Sequence, residues 1–148
     1  MKRFALVTVC ALLLAACGGA AAPATSTPTP VVVSGDVITV PGGSVTRISV
    51  QELNAMLASK DFTLVNVHIP YQGEIEPTDL FIPYDKVPQN LAQLPDRFAR
   101  IVVYCRTGDM SDRAARKLVS LGYKDIYDVD GGMVAWEAAG YPLVEKPQ

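Results

Sequence analysis

From residue 45 onward, the apolar positions switch back and forth between the spacing of helices and the runs of strands. Leu53, Met56 and Leu57 recur at helical intervals behind Ser49-Val50-Gln51-Glu52. That segment reads as a capping box: the Ser49 side chain meets a free amide and Glu52 reaches back. Residues 62–67, with Leu64, Val65 and Val67, predict a strand. Residues 69–85 hold Pro70, Gly73, Pro77 and Pro83 and predict a long turn-rich stretch, with a short strand at 80–82. A short helix is expected at 89–94, between Pro88 and Pro95, and a second clear strand at 100–104. At 111–121, Ala114, Ala115, Leu118 and Leu121 form a buried helical face. Ser111 is expected to cap that helix, Asp112 suits its positive end, and Gly122 ends it. A third strand is predicted at 126–129, and a last helix at 132–139, stopped by Gly140 and Pro142. No internal repeat is visible. Strands alternating with helices predict an α/β fold whose parallel sheet is covered on both faces.

Upstream the pattern changes. Residues 31–33 and 37–40 are β-prone, broken by Ser34-Gly35 and closed by Pro41-Gly42-Gly43; they predict an edge strand or arm leading into the domain. Residues 18–30 pass from small residues into a Pro/Thr-rich run with no charge and nothing large to bury. They predict a tether, reaching at most about 40 Å. Residues 1–16 start Met1-Lys2-Arg3 and continue as an apolar run, far shorter than the roughly 20 residues that span a bilayer. Small residues and a cysteine follow, Leu14-Ala15-Ala16-Cys17, which predicts an export signal. Leu-Ala-Ala-Cys also resembles the lipobox of bacterial lipoproteins, in which the chain is cut before the cysteine and the cysteine is acylated. The plain alternative is cleavage after Ala16 with Cys17 unmodified; a cysteine right at the small-residue site favours lipidation. Two or more acyl chains are what stable anchoring requires. The expected organisation is a lipoprotein signal peptide at 1–16, a lipid-anchored tether with edge strand at 17–44, and a folded domain at 45–148. Its expected location is outside the cytoplasm, anchored to a bacterial cell membrane or outer membrane.

Composition narrows the function classes. At 148 residues, 49% hydrophobic and 19% charged, the chain suits one globular domain and not a disordered one. The formal charge of −2 becomes −4 once Lys2 and Arg3 leave with the signal, so nothing is basic enough to coat nucleic acid. One histidine and three cysteines cannot build a four-ligand zinc site of the usual spacing. Cys10 leaves with the signal and Cys17 carries lipid. Cys105 is then the single thiol of the mature protein, and an internal disulfide is excluded.

Cys105 is the first residue after the apolar run at 101–104, and ligands of such sheets bind beyond the carboxyl ends of the strands. It opens Cys105-Arg106-Thr107-Gly108-Asp109-Met110, which leads straight into the helix at Ser111. A short glycine-containing loop between strand and helix turns its amides inward and forms an anion cradle with the helix N-terminus. A thiolate is stabilised there, and Arg106 adds positive charge at the rim, giving an activated sulfur nucleophile beside an anion site. The bland alternative is a small buried hydrophobe, but burial does not call for an arginine and a glycine just after it.

Residues 104–111 resemble the active-site loop of a rhodanese, a sulfurtransferase family. Val129-Asp130-Gly131-Gly132-Met133-Val134-Ala135-Trp136, with Gly140-Tyr141-Pro142-Leu143, resembles that family's C-terminal signature, and residues 48–53 resemble its opening. The resemblance covers about residues 45–144. It implies a three-layer α/β/α domain with a mainly parallel five-stranded sheet, and a persulfide carried on Cys105. It places Arg106, Thr107, Gly108, Asp109 and Met110 in the loop that binds the outer sulfur, with Ser111 following. It implies a small anionic donor such as thiosulfate, a thiol or cyanide acceptor, small or carried on a protein, and neither metal nor organic cofactor. Phosphatases of related fold need an arginine six residues after the cysteine; that position is Ser111, and the loop has the sulfurtransferase length.

The segment after the first strand departs from the family pattern. Asn66-Val67-His68 stands where Asp-Val-Arg is common, and Gly73-Glu74-Ile75 where Gly-His-Ile is common. His68 is read as a strand-end residue bonded to backbone, with acid–base work on the acceptor side as the alternative. Glu74, Glu76 and Asp79 are read as a solvated acidic loop, with discrimination against anionic acceptors as the alternative. Trp136 is read as core packing. Arg113 either supports the anion site or sits in solvent. Two other functions compete with sulfur transfer. One is a non-catalytic binding module on a membrane tether, against which the intact Cys105-Arg106-Thr107-Gly108 speaks. The other is redox sensing through a sulfenic acid, weakened by the lack of a resolving cysteine.

Overall fold

The computed structural model describes residues 33–147. The export signal, Cys17 and the tether at 18–30 lie outside the described residues. Among the described residues, no helix is long and apolar enough to cross a membrane.

Pro41-Gly42 joins β1 (Asp36–Val40) and β2 (Gly43–Ile48) as an antiparallel hairpin with Val40 opposite Gly43. Proline at the first turn position and a glycine at φ +96° at the second are what a type II turn requires. The part of the expected arm at 37–40 is thus a paired strand, while residues 31 and 32 lie outside the described residues. β2, missing from the sequence-based expectation, sits where Thr46 and Arg47 dilute the apolar pattern to Val45 and Ile48.

Helix α1 (Val50–Leu57) starts with the predicted capping box: Glu52 N–H donates to Ser49 Oγ at 3.2 Å, and Ser49 N–H to Glu52 Oε2 at 2.8 Å. Strands β3 (Thr63–Asn66), β4 (Leu80–Phe81), β5 (Arg100–Tyr104) and β6 (Asp125–Val129) follow, with helices α2 (Asp109–Ser120) and α3 (Gly132–Ala138). The helix expected at 89–94 is instead two 3₁₀ turns, Tyr84–Gln89 and Leu91–Gln93. Pro88 removes a backbone donor there, and short i→i+3 turns are what remain.

The sheet has six strands in the order β1-β2-β6-β5-β3-β4, parallel except for the β1–β2 hairpin. The expected five strands become six because the hairpin adds an edge. On β5, Ile101, Val103 and, just beyond the strand, Cys105 face the layer of α2 and the 3₁₀ turns, while Val102 and Tyr104 face α1 and α3. This two-residue alternation divides the core into two clusters, one on each side of the sheet. It leaves the carboxyl end of β5, at the centre of the sheet, as the place where a loop can carry chemistry.

Candidate active site

Cys105 stands at that end, 1% exposed, as a free thiol. Its Sγ accepts a hydrogen bond from the Gly108 N–H at 3.1 Å. The chain can turn back this tightly because Gly108 has φ +104°, a conformation open to glycine. Gly108 is also the N-cap of α2, so the helix starts at Asp109 and not at Ser111 as expected. Ser111 lies in the first turn, fully buried, and its hydroxyl donates to the Gly108 carbonyl at 3.1 Å. The same carbonyl takes the Asp112 N–H at 2.9 Å. The amides of Asp109, Met110 and Ser111 belong to the first turn, which has no intrahelical acceptors, and they lie at the positive end of the helix dipole.

The Gly131-Gly132 pair holds the loop from the other side. Met133 N–H donates to the Cys105 carbonyl at 2.9 Å and Val134 N–H to the Arg106 carbonyl at 3.0 Å. A Cβ on Gly132 would come within 2.2 Å of the Cys105 carbonyl oxygen, so only glycine allows this approach. Trans peptides put N–H opposite C=O, so these two bonds turn the Arg106 and Thr107 amides away from α3. The Gly108 amide on the sulfur, beside the positive end of α2, stabilises negative charge there.

The Arg106 side chain is half-buried and enters no hydrogen bond or ion pair among the described residues, while Thr107 and Asp109 are exposed. Met110 packs on the core under α2. Arg113 does not join the loop: its guanidinium stacks on Tyr84 at 4.5 Å and donates to the Tyr84 hydroxyl at 3.4 Å. His68 is buried, its N–H donating to Asn66 Oδ1 at 3.0 Å and its Nε2 paired with Gln72 Oε1 at 3.1 Å. Asn66 Nδ2 reaches the Gly73 carbonyl at 3.1 Å. The Asn66-Val67-His68 departure therefore makes a side-chain clamp on the loop that follows. The ring of His68 is bonded to a side chain, not to backbone as expected.

Glu74 corrects another expectation. It is 4% exposed, paired with Lys146 Nζ at 2.5 Å, and bridged to Val144 through both backbone bonds. Glu76 is exposed, as is Asp79, which takes the Leu64 N–H at 2.7 Å and Lys60 Nζ at 2.5 Å. Trp136 packs in the core as expected and donates Nε1–H to the Pro142 carbonyl at 2.9 Å.

Asp128 and Arg47 went unnoticed in the sequence. They are register neighbours on β6 and β2, with Asp128 1% exposed beneath the start of α2. Burial pushes the Asp128 carboxyl from the usual 3.8 up to about 6, against the pull of Ser111 and Arg47. Its ionised form lowers stability; that loss is absent below 3.8 and complete once pH has risen through about 6. The signal was a charged residue at the same alternate position as the buried Ile126.

The chain matches the model of the rhodanese-like domain over residues 49–139. It is 34% identical over 105 residues to a sulfurtransferase of Allochromatium vinosum, covering 68% of this chain and 95% of that one. It is 29% identical over 100 residues to the thiosulfate sulfurtransferase GlpE of Vibrio cholerae, covering 66% and 92%. Among solved structures, a rhodanese-like domain protein of Staphylococcus aureus superposes with a TM-score of 0.58 at 30% identity, over 68% of this chain and 98% of the other. A rhodanese-related protein of Thermoplasma volcanium gives 0.59 at 29%, with the same coverage. With a cysteine bonded by a loop amide at the end of a central strand and a family match over most of its folded part, the chain belongs to the rhodanese family.

Proposed function

We propose that the protein is an extracytoplasmic sulfurtransferase that carries a sulfane sulfur as a persulfide on Cys105. The Cys105 thiolate attacks the outer sulfur of a thiosulfate-type donor. The donor's S–S bond breaks and sulfite leaves with the bonding pair. Cyanide or a thiolate then attacks the outer sulfur of the persulfide, forming thiocyanate or a new persulfide and returning the Cys105 thiolate. Atoms and electrons balance without a cofactor. The observation that carries this reading is the Gly108 amide on Sγ, inside a loop whose other amides are turned away from α3. A six-residue loop that brings an amide to 3.1 Å from Sγ suits a single sulfur atom. A phosphoryl group needs a cation at the position of Ser111, which is buried and bonded to the Gly108 carbonyl. Steady-state formation of thiocyanate from thiosulfate and cyanide tests the proposal; no turnover by folded protein favours the non-catalytic binding module.

In this scheme Arg106 draws in the anionic donor. Charge-assisted hydrogen bonds from one half-buried arginine contribute about 1–3 kcal/mol. Arg106→Ala is expected to lower kcat/KM about 5- to 150-fold, with the loss in KM because donor and transition state carry similar charge there. A collapsed kcat beside an unchanged KM would show that Arg106 acts on sulfur transfer itself.

The lipobox-like Leu-Ala-Ala-Cys supports acylation of Cys17 and a domain tethered to a bacterial membrane. Cys17→Ala is expected to leave the precursor uncut or to release the domain from the membrane. Fractionation that finds this variant cleaved normally and still membrane-bound would rule the anchor out.

A further inference from the structure

Positive charge in this chain is gathered on one side of the sheet. Downstream of residue 16, residues 84–124 hold eight of the eleven lysines and arginines but only four of the fifteen acids, a formal charge of +4. The rest holds three cations and eleven acids, a formal charge of −8. The 3₁₀ turns, the sulfur loop and α2 all belong to residues 84–124 and build the layer on the Cys105 side of the sheet.

Ion pairing sharpens the contrast. Outside that segment each lysine and arginine is matched: Arg47 with Asp112 at 3.0 Å, Lys60 with Asp79 at 2.5 Å and Lys146 with Glu74 at 2.5 Å. Within it, Arg97, Arg106, Lys117 and Lys124 enter no ion pair among the described residues. Arg113 meets only the ring and hydroxyl of Tyr84. Asp85 and Asp112 are taken up by Lys86 and Arg116, which leaves Asp96 and Asp109 as the acids of this side without a cation. Arg113 and Lys117 are exposed and one turn apart on α2. Arg106 precedes the helix; Lys124 and Arg97 stand past its far end, where the Lys124 N–H donates to the Arg97 carbonyl at 2.9 Å. With a helix of about 18 Å between them, the row spans roughly 25 Å. That is on the scale of the roughly 800 Å² patch that a standard interface takes from each partner. Phe98, 80% exposed, follows Arg97. Aromatic and arginine side chains are what protein interfaces favour.

A small anionic donor reaches Cys105 past Arg106 and has no use for charges turns further along α2. A bilayer lying on this face would cover the sulfur loop and bring no thiol. We infer that the α2 face docks an acidic protein that carries the acceptor thiol. Its carboxylates meet Arg113, Lys117 and Lys124 while its thiolate reaches the loop. That thiolate attacks the outer sulfur of the Cys105 persulfide, the S–S bond breaks, and Cys105 leaves as the thiolate with the bonding pair. The inference rests on the proposed sulfur-carrying role of Cys105 and names the acceptor that role would serve.

The test uses two peptides with one cysteine each, followed by a run of glutamates or of glutamines. Transfer from thiosulfate-loaded full-length protein to each peptide is followed by mass. At about 0.02 M salt the glutamate peptide is expected to take sulfur roughly 5- to 50-fold faster, and at about 0.5 M no more than about twofold faster. The double variant Lys117→Glu, Lys124→Glu is expected to abolish this preference and to keep thiosulfate–cyanide turnover within about twofold. Both side chains are exposed, so the fold tolerates the change. Comparing native and charge-reversed protein on the same peptides cancels any difference in acidity between the two thiols. Equal rates for the two peptides, or a preference that survives charge reversal, would overturn the inference and leave sulfur transfer to cyanide standing. Equal rates together with binding of the native chain, but not the variant, to phosphatidylglycerol vesicles would overturn it in favour of a membrane on this face. Salt-dependent binding of a fluorescent oligoglutamate, read by anisotropy and lost in the variant, would support the acidic docking face even in a chain whose Cys105 loads no sulfur, where the proposed function itself would fall.

Discussion

Gly132→Ala is expected to unseat the sulfur loop. The residue has φ +53°, and a Cβ there would come within 2.2 Å of the Cys105 carbonyl oxygen and 2.9 Å of the Arg106 carbonyl carbon. Those contacts are backbone, so no side chain can swing aside. A left-handed alanine costs about 1–2 kcal/mol, and relieving the overlap about 1–3 more. The relief must move α3 away from the loop, and the Met133 and Val134 bonds to the Cys105 and Arg106 carbonyls are what it stretches. Urea unfolding is expected to show a loss of about 2–5 kcal/mol, and sulfur transfer to fall further than the folded fraction does. Gly140→Ala is the control. Its φ is +84° but nothing lies within 4 Å of the new Cβ, so only the backbone cost, about 1 kcal/mol, applies. Equal effects at the two positions would mean that the close approach of α3 does not hold the loop.

Cys105→Ser is expected to reduce turnover of thiosulfate to background, by at least about 10³-fold. A serine hydroxyl is scarcely ionised at neutral pH and cannot hold a sulfane sulfur. The fold should survive, because Oγ replaces Sγ as acceptor for the Gly108 amide and the volume change is small. Thermal unfolding within a few degrees of the native protein, with turnover gone, is the expected pair of results. Retained turnover would place the chemistry on another group.

Much of this architecture was legible in the sequence wherever one short segment decides the structure. Ser49 and Glu52 close their own capping box, the apolar run at 101–104 is buried on both faces of a parallel sheet, and Cys105 follows it directly. The unread parts depend on partners distant in sequence. β2 is a strand because β1 and β6 flank it, not because of its own pattern. Glu74 is buried because the C-terminal segment folds back over it through Val144 and Lys146. Ser111 looked like a cap because it stands before the helical apolar face. The left-handed Gly108 starts the helix earlier and frees the Ser111 hydroxyl to bond back to the loop. Asp128 was hidden by its strand, since its partner Arg47 lies on β2, itself unread.

The central claim, a persulfide on Cys105, is tested most directly by the intact mass of the folded protein before and after thiosulfate. The account predicts a gain of one sulfur atom per chain, reversed by cyanide with release of thiocyanate, and absent in Cys105→Ser. An unchanged mass in the native protein, or the same gain in Cys105→Ser, would contradict it.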